Sequence, residues 1–464
     1  MKQLNVIIMA AGKGTRMKSA LPKVLQQLGG KPLVQHVLET AQLLEATKIV
    51  VVTGHQADVV EASLASMTSD VQTVRQIPQL GTGHCVQQAV PFLADDDSMT
   101  LILSGDVPLT KLTTLRALID RCSGSNLALL TIAFDDPTGY GRIVRHTNQE
   151  QVMAIVEHKD ATPAQQTIRE CYSGIMAAPT RMLKNWLAKL DNSNAAGEFY
   201  LTDVVKHAVS DGVAVLATCI TDSVQVDGVN SPIQLAALER ALQARTAVAL
   251  MEQGVRLADP ARFDVRGSLS CGVDVEIDVN CVFSGRVVLG DNVSVGANCV
   301  ISNATIERGA VIQPFTHIEG QAGKPVLVGA LAKVGPFARL RPGAQLGEDV
   351  HIGNFVEIKN ATLAKGAKAN HLAYVGDAIV GERVNYGAGS ITANYDGVNK
   401  HKTVIEADVH VGSNCVIVAP VTVGAGGTIG AGSTITKDTP VGGLTVARGK
   451  QMSIAHWQRP TKKS

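Results

Sequence analysis

Aromatic residues are scarce: Phe, Trp and Tyr make up 3% of the 464 residues. A core built on large rings is therefore excluded, and narrow interior slots filled by Val, Ile and Ala are expected. An excess of charge is also lacking. Lys and Arg number 42 against 41 Asp and Glu, a formal net charge of +1. This balance argues against nucleic acid or a membrane surface as partner, while allowing local basic pockets. The eight cysteines (Cys85, Cys122, Cys171, Cys219, Cys271, Cys281, Cys299 and Cys415) form no C-x-x-C pair and no zinc-spaced cluster with His. They read as buried free thiols of a reducing, cytoplasmic protein. No apolar run approaches the roughly 20 residues of a membrane span. The N-terminal apolar run is too short for a secretory leader.

Two familiar phosphate loops are missing as well. The apolar run Val6–Ile8 leads into MAAGKGTRMKSALPK, Met9 to Lys23. That stretch lacks the G-x-x-x-x-G-K-[ST] spacing, and Met17 stands where G-x-G-x-x-G needs its third glycine. It is nevertheless a glycine- and lysine-rich turn after a strand, as a phosphate site requires.

What is present changes period along the chain. Up to about residue 230, short apolar runs (Val6–Met9, Ile49–Thr53, Thr100–Leu103) alternate with helical patterns (Pro32–Leu44, Leu112–Arg121). Such alternation predicts an α/β domain over 1–230, a parallel sheet with helices on its faces. Its ligands sit beyond the C-terminal strand ends, where the loop after Met9 and the SGDVPL segment after Leu103 both fall. Residues 231–254 read as a connecting helix, with Ser231 as N-cap and Pro232 as first helical residue. Over 255–464 the period becomes six: Val334, Leu340, Leu346, Ile352 and Ile358, then Val411, Ile417, Val423, Ile429 and Ile435. This hexapeptide repeat predicts a parallel β-helix, with each aliphatic pointing inward. TANYDGVNKHK, Thr392 to Lys402, breaks the hexads, and a loop thrown out of a solenoid is more often functional than decorative.

Two constellations carry chemistry. In the first, backbone N–H groups at Gly12, Lys13 and Gly14 line an anion closely. Arg16 and Lys23 add cations, and Asp106 at a strand end suits a magnesium ion. Such a site lets one phosphate attack another in line, with no protein nucleophile. Taken singly, GDVP is also a turn and Lys23 a solvated charge; the combination is the signal. In the second, Arg341 and Lys359 lie eighteen residues apart, about one turn of coil. They stack into a two-cation shelf suited to a phosphomonoester. His371, Tyr374 and Lys400 accompany them.

The segments MAAGKGTRMKSALPKVL, QLGTGH, GDVPL, DPTGYGRI, IVEHKDA and VDGVN resemble the sugar-nucleotide pyrophosphorylases. With the coil behind them, the resemblance extends nearly full length to the bacterial bifunctional members, which also acetylate glucosamine-1-phosphate. It implies a Rossmann-like nucleotidyltransferase followed by a left-handed parallel β-helix. In the first domain, Ala10, Ala11, Gly12, Gln76, Gly81 and Thr82 would hold the uridine of UTP. Arg16 and Lys23 would neutralise its triphosphate, and Asp106 and Asn230 would bind Mg²⁺. Gly141 and Glu157 would contact N-acetylglucosamine-1-phosphate. Tyr172 stands where the family carries a sugar-binding asparagine, and Ser104 where it carries tyrosine.

In the coil, the resemblance implies that His371 is the general base. Arg341, Lys359, Tyr374, Asn385 and Lys400 would bind glucosamine-1-phosphate. Ala388, Asn394, Tyr395, Ser413, Ala431 and Arg448 would contact acetyl-CoA. A homotrimer with sites shared among chains is also implied. Two other readings are a pyrophosphorylase for another sugar whose coil only oligomerises or regulates, and a non-catalytic scaffold. The first predicts no base or phosphate shelf on the coil, and the second predicts loss of Lys23 or Asp106.

Overall fold

Val6, Ile7 and Ile8 are consecutive and all completely buried. A strand apolar at every position must be covered on both faces. Val6 and Ile8 join one hydrophobic cluster and Ile7 another, so a layer packs on each side of the sheet. The computed structural model describes residues 3–146, 151–460 and 462. Its strands are Leu4–Ala10 (β1), Lys48–Thr53 (β2), Gln72–Arg75 (β3), Met99–Ser104 (β4), Leu127–Ala133 (β5), Arg142–Arg145 (β6), Val152–Val156 (β7), Glu170–Pro179 (β8) and Val215–Ile220 (β9). They form one sheet in the order β9-β5-β8-β4-β1-β2-β3, with β6 and β7 attached beside β8.

The expected strands and the helices Leu33–Leu43 and Leu112–Cys122 are present. The sheet is mixed rather than wholly parallel, because β8 runs antiparallel to both β4 and β5. It follows the β6–β7 hairpin instead of a crossover helix, and only the crossover would enforce parallel entry. β1 and β4 are parallel neighbours, with Met9 opposite Ser104. The glycine-rich loop and the Gly105–Leu109 segment thus leave the same edge of the sheet. Pro232–Glu252 forms one helix, and the Ser231 hydroxyl accepts from the Gln234 amide at 3.3 Å. The chain divides into two compact units within it, between Leu242 and Gln243.

The second unit is a parallel β-helix. Val334 lies over Ile352, and Leu340 over Ile358, one turn later. All ten aliphatics of the two hexad runs point inward, none more than 2% exposed. Each such side chain contributes about 1.5–3 kcal/mol on burial. Turns stack tightly enough that a Cβ on Gly412 would come within 2.5 Å of the Ala431 nitrogen. The interrupting loop is ordered: Tyr395 bridges to Lys400, and the coil resumes at Thr403–Ile405.

Not all thiols are interior. Cys219 is exposed and Cys271 half-buried, whereas the other six are buried. Cys219 lies toward the end of the edge strand β9, and Cys271 ends the strand Phe263–Cys271, which pairs on one side only. Strand ends at the edge of a sheet lack a neighbour to cover them.

Candidate active sites

In the α/β unit, the sequence-predicted residues Ala10, Ala11, Gly12, Lys23, Gln76, Gly81, Thr82 and Asp106 line one cleft of about 390 Å³. Gly14 is left-handed at φ 59, and a Cβ there would sit 2.7 Å from that of Lys23. The glycine thus lets the loop fold back onto the lysine. Gln76 is buried, and its amide nitrogen donates to the Gly81 carbonyl at 2.9 Å. Its amide oxygen remains available as an acceptor.

Lys23 Nζ is the hub. It forms an ion pair with Asp106 and donates to the Asn230 side-chain oxygen at 3.1 Å. Two oxygen donors, one of them a carboxylate, therefore converge on a single cation. This donor set fits a divalent ion that takes its remaining ligands from phosphates and water. Among the described residues no cluster of three or more His, Cys, Asp or Glu could hold a metal unaided. Arg16 does not line the cleft; it is exposed on the short helical turn Thr15–Met17.

Gly141, Glu157 and Tyr172 form a second group. The Tyr172 amide donates to the Gly141 carbonyl at 2.9 Å. A Cβ on Gly141 would lie 3.6 Å from the Glu157 carboxylate. Burial raises the Glu157 carboxyl, opposed by a 2.9 Å hydrogen bond from the Thr202 hydroxyl. The Tyr172 phenol is pushed well up by burial and then by the charge of Glu157. Its hydroxyl is buried without a hydrogen-bond partner. Glu157, Tyr200 and Thr202 line a cavity of about 290 Å³. The segment 198–202 joins it to the first cleft, for the Leu201 amide donates to Thr82 Oγ1 at 3.1 Å and Glu198 lines that cleft. Sequence reasoning missed Glu198, Tyr200 and Thr202, because they stand in GEFYLT, where Gly197 closes a turn but no strand run precedes it to announce a site.

In the coil, the shelf has three cations. Arg341 and Lys359 occupy equivalent positions of adjacent turns. Lys400 lies against Lys359, and its ammonium, with burial and then Arg341, holds Lys359 below the usual lysine range; Asp377 pushes the other way. Arg341 forms an ion pair with Glu357 at 2.8 Å, a partner the sequence reading lacked. Glu357 and Lys359 flank the same inward Ile358, which is the signal that could have found it. Tyr374 stands one turn above Glu357.

His371 heads a ladder. The Gly389 amide donates to the His371 carbonyl at 3.3 Å, Asn414 to Ala388 at 2.8 Å, and Gly432 to Ser413 at 2.8 Å. The Arg448 guanidinium donates to the Ala431 carbonyl at 2.7 Å. His371, Ala388, Ser413, Ala431 and Arg448 thus follow one another up one edge of the coil. His371 is exposed, and its Nδ1 lies 3.0 Å from the Asn354 side-chain oxygen. With Nδ1 donating to that oxygen, Nε2 keeps its lone pair as a base. Asn354 also went unread; it sits seventeen residues before His371, a short turn of the coil. Asn394 and Tyr395 are on the ejected loop. Asn385 is not brought to the shelf within one chain: it pairs with Lys368 in the other sheet of the coil.

A phosphate cleft at the strand ends of an α/β sheet, followed by a β-helix bearing a base and a cation shelf, defines a nucleotidyltransferase joined to a hexapeptide-repeat acyltransferase. Residues 6–191 match the MobA-like NTP transferase domain, residues 402–437 the bacterial transferase hexapeptide, and residues 286–313 the hexapeptide repeat of succinyl-transferase. The chain is 67% identical to the bifunctional protein GlmU of Albidiferax ferrireducens, covering 99% of this chain and 100% of that one. It is 67% identical to the protein of that name from Polaromonas sp., covering 99% of each, and 55% identical to that from Janthinobacterium sp., again covering 99% of each. The chain belongs to the GlmU family of bifunctional proteins. It is an enzyme of UDP-N-acetylglucosamine synthesis with N-acetyltransferase and uridylyltransferase activities, and its substrates are sugar phosphates and nucleotides.

Proposed function

We propose that the coil first acetylates glucosamine-1-phosphate with acetyl-CoA, and that the α/β unit then couples the product to UTP. The observation that carries the reading is that the coil holds both the ladder from His371 to Arg448 and a three-cation shelf, on different sheets of one chain. Arg341, Lys359 and Lys400 neutralise the sugar phosphate, helped by Tyr374 and Asn385. His371 Nε2 takes a proton from the substrate amine, whose nitrogen attacks the thioester carbonyl. The C–S bond breaks, and the thiolate leaves as CoA. Ala388, Asn394, Tyr395, Ser413, Ala431 and Arg448 hold that cofactor along the ladder.

In the α/β unit, Ala10, Ala11, Gly12, Gln76, Gly81 and Thr82 hold the uridine. Lys23 and the exposed Arg16 neutralise the triphosphate, while Gly141, Glu157 and Tyr172 hold the sugar. An oxygen of the sugar phosphate attacks the α-phosphorus, and pyrophosphate leaves. Mg²⁺ held by Asp106 and Asn230 would spread the developing negative charge.

We assign the enzyme to the cytoplasm, where its free thiols stay reduced. We also assign a homotrimer, because Asn385 and Lys359 lie on different sheets of one chain and a neighbouring copy can unite them. Phe315, Phe337 and Phe355 stack into an exposed ridge, with ring centroids 4.9 and 5.4 Å apart. The ridge runs next to the Asn354–His371 pair and suits the face of another copy. A sedimentation mass of one chain would end the trimer reading.

A coupled assay tests the whole scheme. From glucosamine-1-phosphate, UDP-N-acetylglucosamine should appear only with both acetyl-CoA and UTP. A nucleotide sugar formed from it without any acetyl donor would overturn the order of steps.

A further inference from the structure

Asp377 carries no role in either reaction as assigned above, yet its hydrogen bonds reach two residues of the acetyl-transfer site, Lys359 and Asn394. It is 8% exposed. Its Oδ1 accepts from the Asn360 amide at 2.6 Å, and its Oδ2 accepts from the Asn394 amide. Its backbone is left-handed at φ 47. Its N–H donates to the Lys359 carbonyl at 3.0 Å, and its carbonyl accepts from the Thr403 amide at 3.2 Å. Asn394 lies near the start of the ejected loop, and Thr403 is the first residue after it. One buried residue therefore holds both ends of the loop that carries Tyr395 and Lys400, together with the strand end that carries Lys359.

The chemistry of that contact is one-sided. An ionised carboxylate only accepts hydrogen bonds. It therefore turns the Asn394 NH₂ toward itself, beside the Tyr374 phenol, and leaves the Asn394 oxygen as an acceptor. An asparagine with a neutral neighbour could face either way. The same carboxylate is the nearby negative charge that offsets Lys400 and Arg341 at Lys359.

We propose that Asp377 is a positioning residue for acetyl transfer, fixing the Asn394 amide with its oxygen presented to substrate and pinning the 394–402 loop over Lys359. The proposal rests on the acetyl-transfer reading of the coil. It is tested with the full-length enzyme, acetyl-CoA and glucosamine-1-phosphate. Asp377→Asn should raise the KM for acetyl-CoA about tenfold while kcat changes less than about threefold. Uridylyl transfer serves as the internal control and should not change. Asn394→Asp alone sets two carboxylates against each other and should be at least as impaired. The exchange Asp377→Asn with Asn394→Asp restores one donor facing one acceptor, and should bring KM back to within about threefold of the parent enzyme.

A purely structural role would lower active enzyme, and so kcat, in Asp377→Asn at unchanged KM. That result overturns the proposal, as does an exchange variant no better than Asn394→Asp. Should Asp377→Asn not fold, the exchange variant decides: a KM for acetyl-CoA restored relative to Asn394→Asp supports the assignment, and no restoration overturns it. Absence of acetyl transfer in the parent enzyme would instead remove the reading of the coil itself.

Discussion

The two sites are assembled in opposite ways. In the α/β unit, Lys23, Asp106 and Asn230 are far apart in the chain and meet through one lysine ammonium. The sheet brings the ends of β1 and β4 to one edge, and the Val229 amide, donating to the Asp106 carbonyl at 3.0 Å, holds Asn230 there. In the coil, separation along the chain is itself geometry. A step of seventeen or eighteen residues carries Asn354 to His371 and Arg341 to Lys359. The sheet site depends on topology, whereas the coil site depends on register. Damage to the first should be local to a cleft; damage to the second should travel with the turn.

The crossed knockouts probe that contrast with the largest effect. His371→Ala should cut acetyl transfer about 10²- to 10⁴-fold, as loss of a general base does. Uridylyl transfer should stay within about twofold of the parent. Asp106→Asn should do the reverse, with a loss of at least about a hundredfold in pyrophosphate release. Each reaction is assayed with its own substrates. If either substitution silences both, the two sites are not independent and the comparison fails.

The shelf gives a smaller effect and a pH signature. Lys359→Met removes one of the shelf's three cations and, if the shelf binds the sugar phosphate as proposed, should raise the KM for glucosamine-1-phosphate about 10- to 100-fold with less change in kcat. In the free enzyme Lys400, burial and Arg341 hold Lys359 below the ordinary lysine range. A lowered pKa means that the binding charge is lost sooner as pH rises. The kcat/KM for this substrate should thus fall, on the alkaline side, at a lower pH than an unperturbed lysine would give. Lys359→Arg keeps its charge and should move that fall to higher pH. A profile identical in Lys359→Arg and the parent would show that another group titrates.

Legibility followed the same division. Hexads and the Arg341–Lys359 spacing exposed the coil and its shelf, because counting residues there measures distance. The strand–loop motifs exposed Lys23 and Asp106, because glycine turns and strand ends leave marks. What stayed unread was partner residues. Glu357, Asp377 and Asn354 look like ordinary solvated positions until the turn above or below is in place. Thr202 reaches Glu157 only through the packed fold. The antiparallel entry of β8 was equally hidden, because direction follows from the connection and not from the apolar pattern. Tyr172 was visible as a departure, but not the burial of its hydroxyl.

That hydroxyl supports the smallest and finest test. Tyr172 packs in the cluster that includes Ile143 and Ile155, and its phenol oxygen has no partner. An unpartnered buried polar group costs about 1–3 kcal/mol. Tyr172→Phe removes the oxygen and keeps the ring, so thermal stability should hold or rise slightly. If the sugar of N-acetylglucosamine-1-phosphate supplies the missing partner, the same substitution should raise its KM about 5- to 30-fold. Tyr172→Asn separates the two contributions. It restores the residue type expected at this position but empties the space of a ring, so it should melt earlier than either Tyr172→Phe or the parent. A more stable Tyr172→Phe with an unchanged KM would leave the phenol a packing residue only, and the sugar would then be held by Glu157 and Gly141 without it.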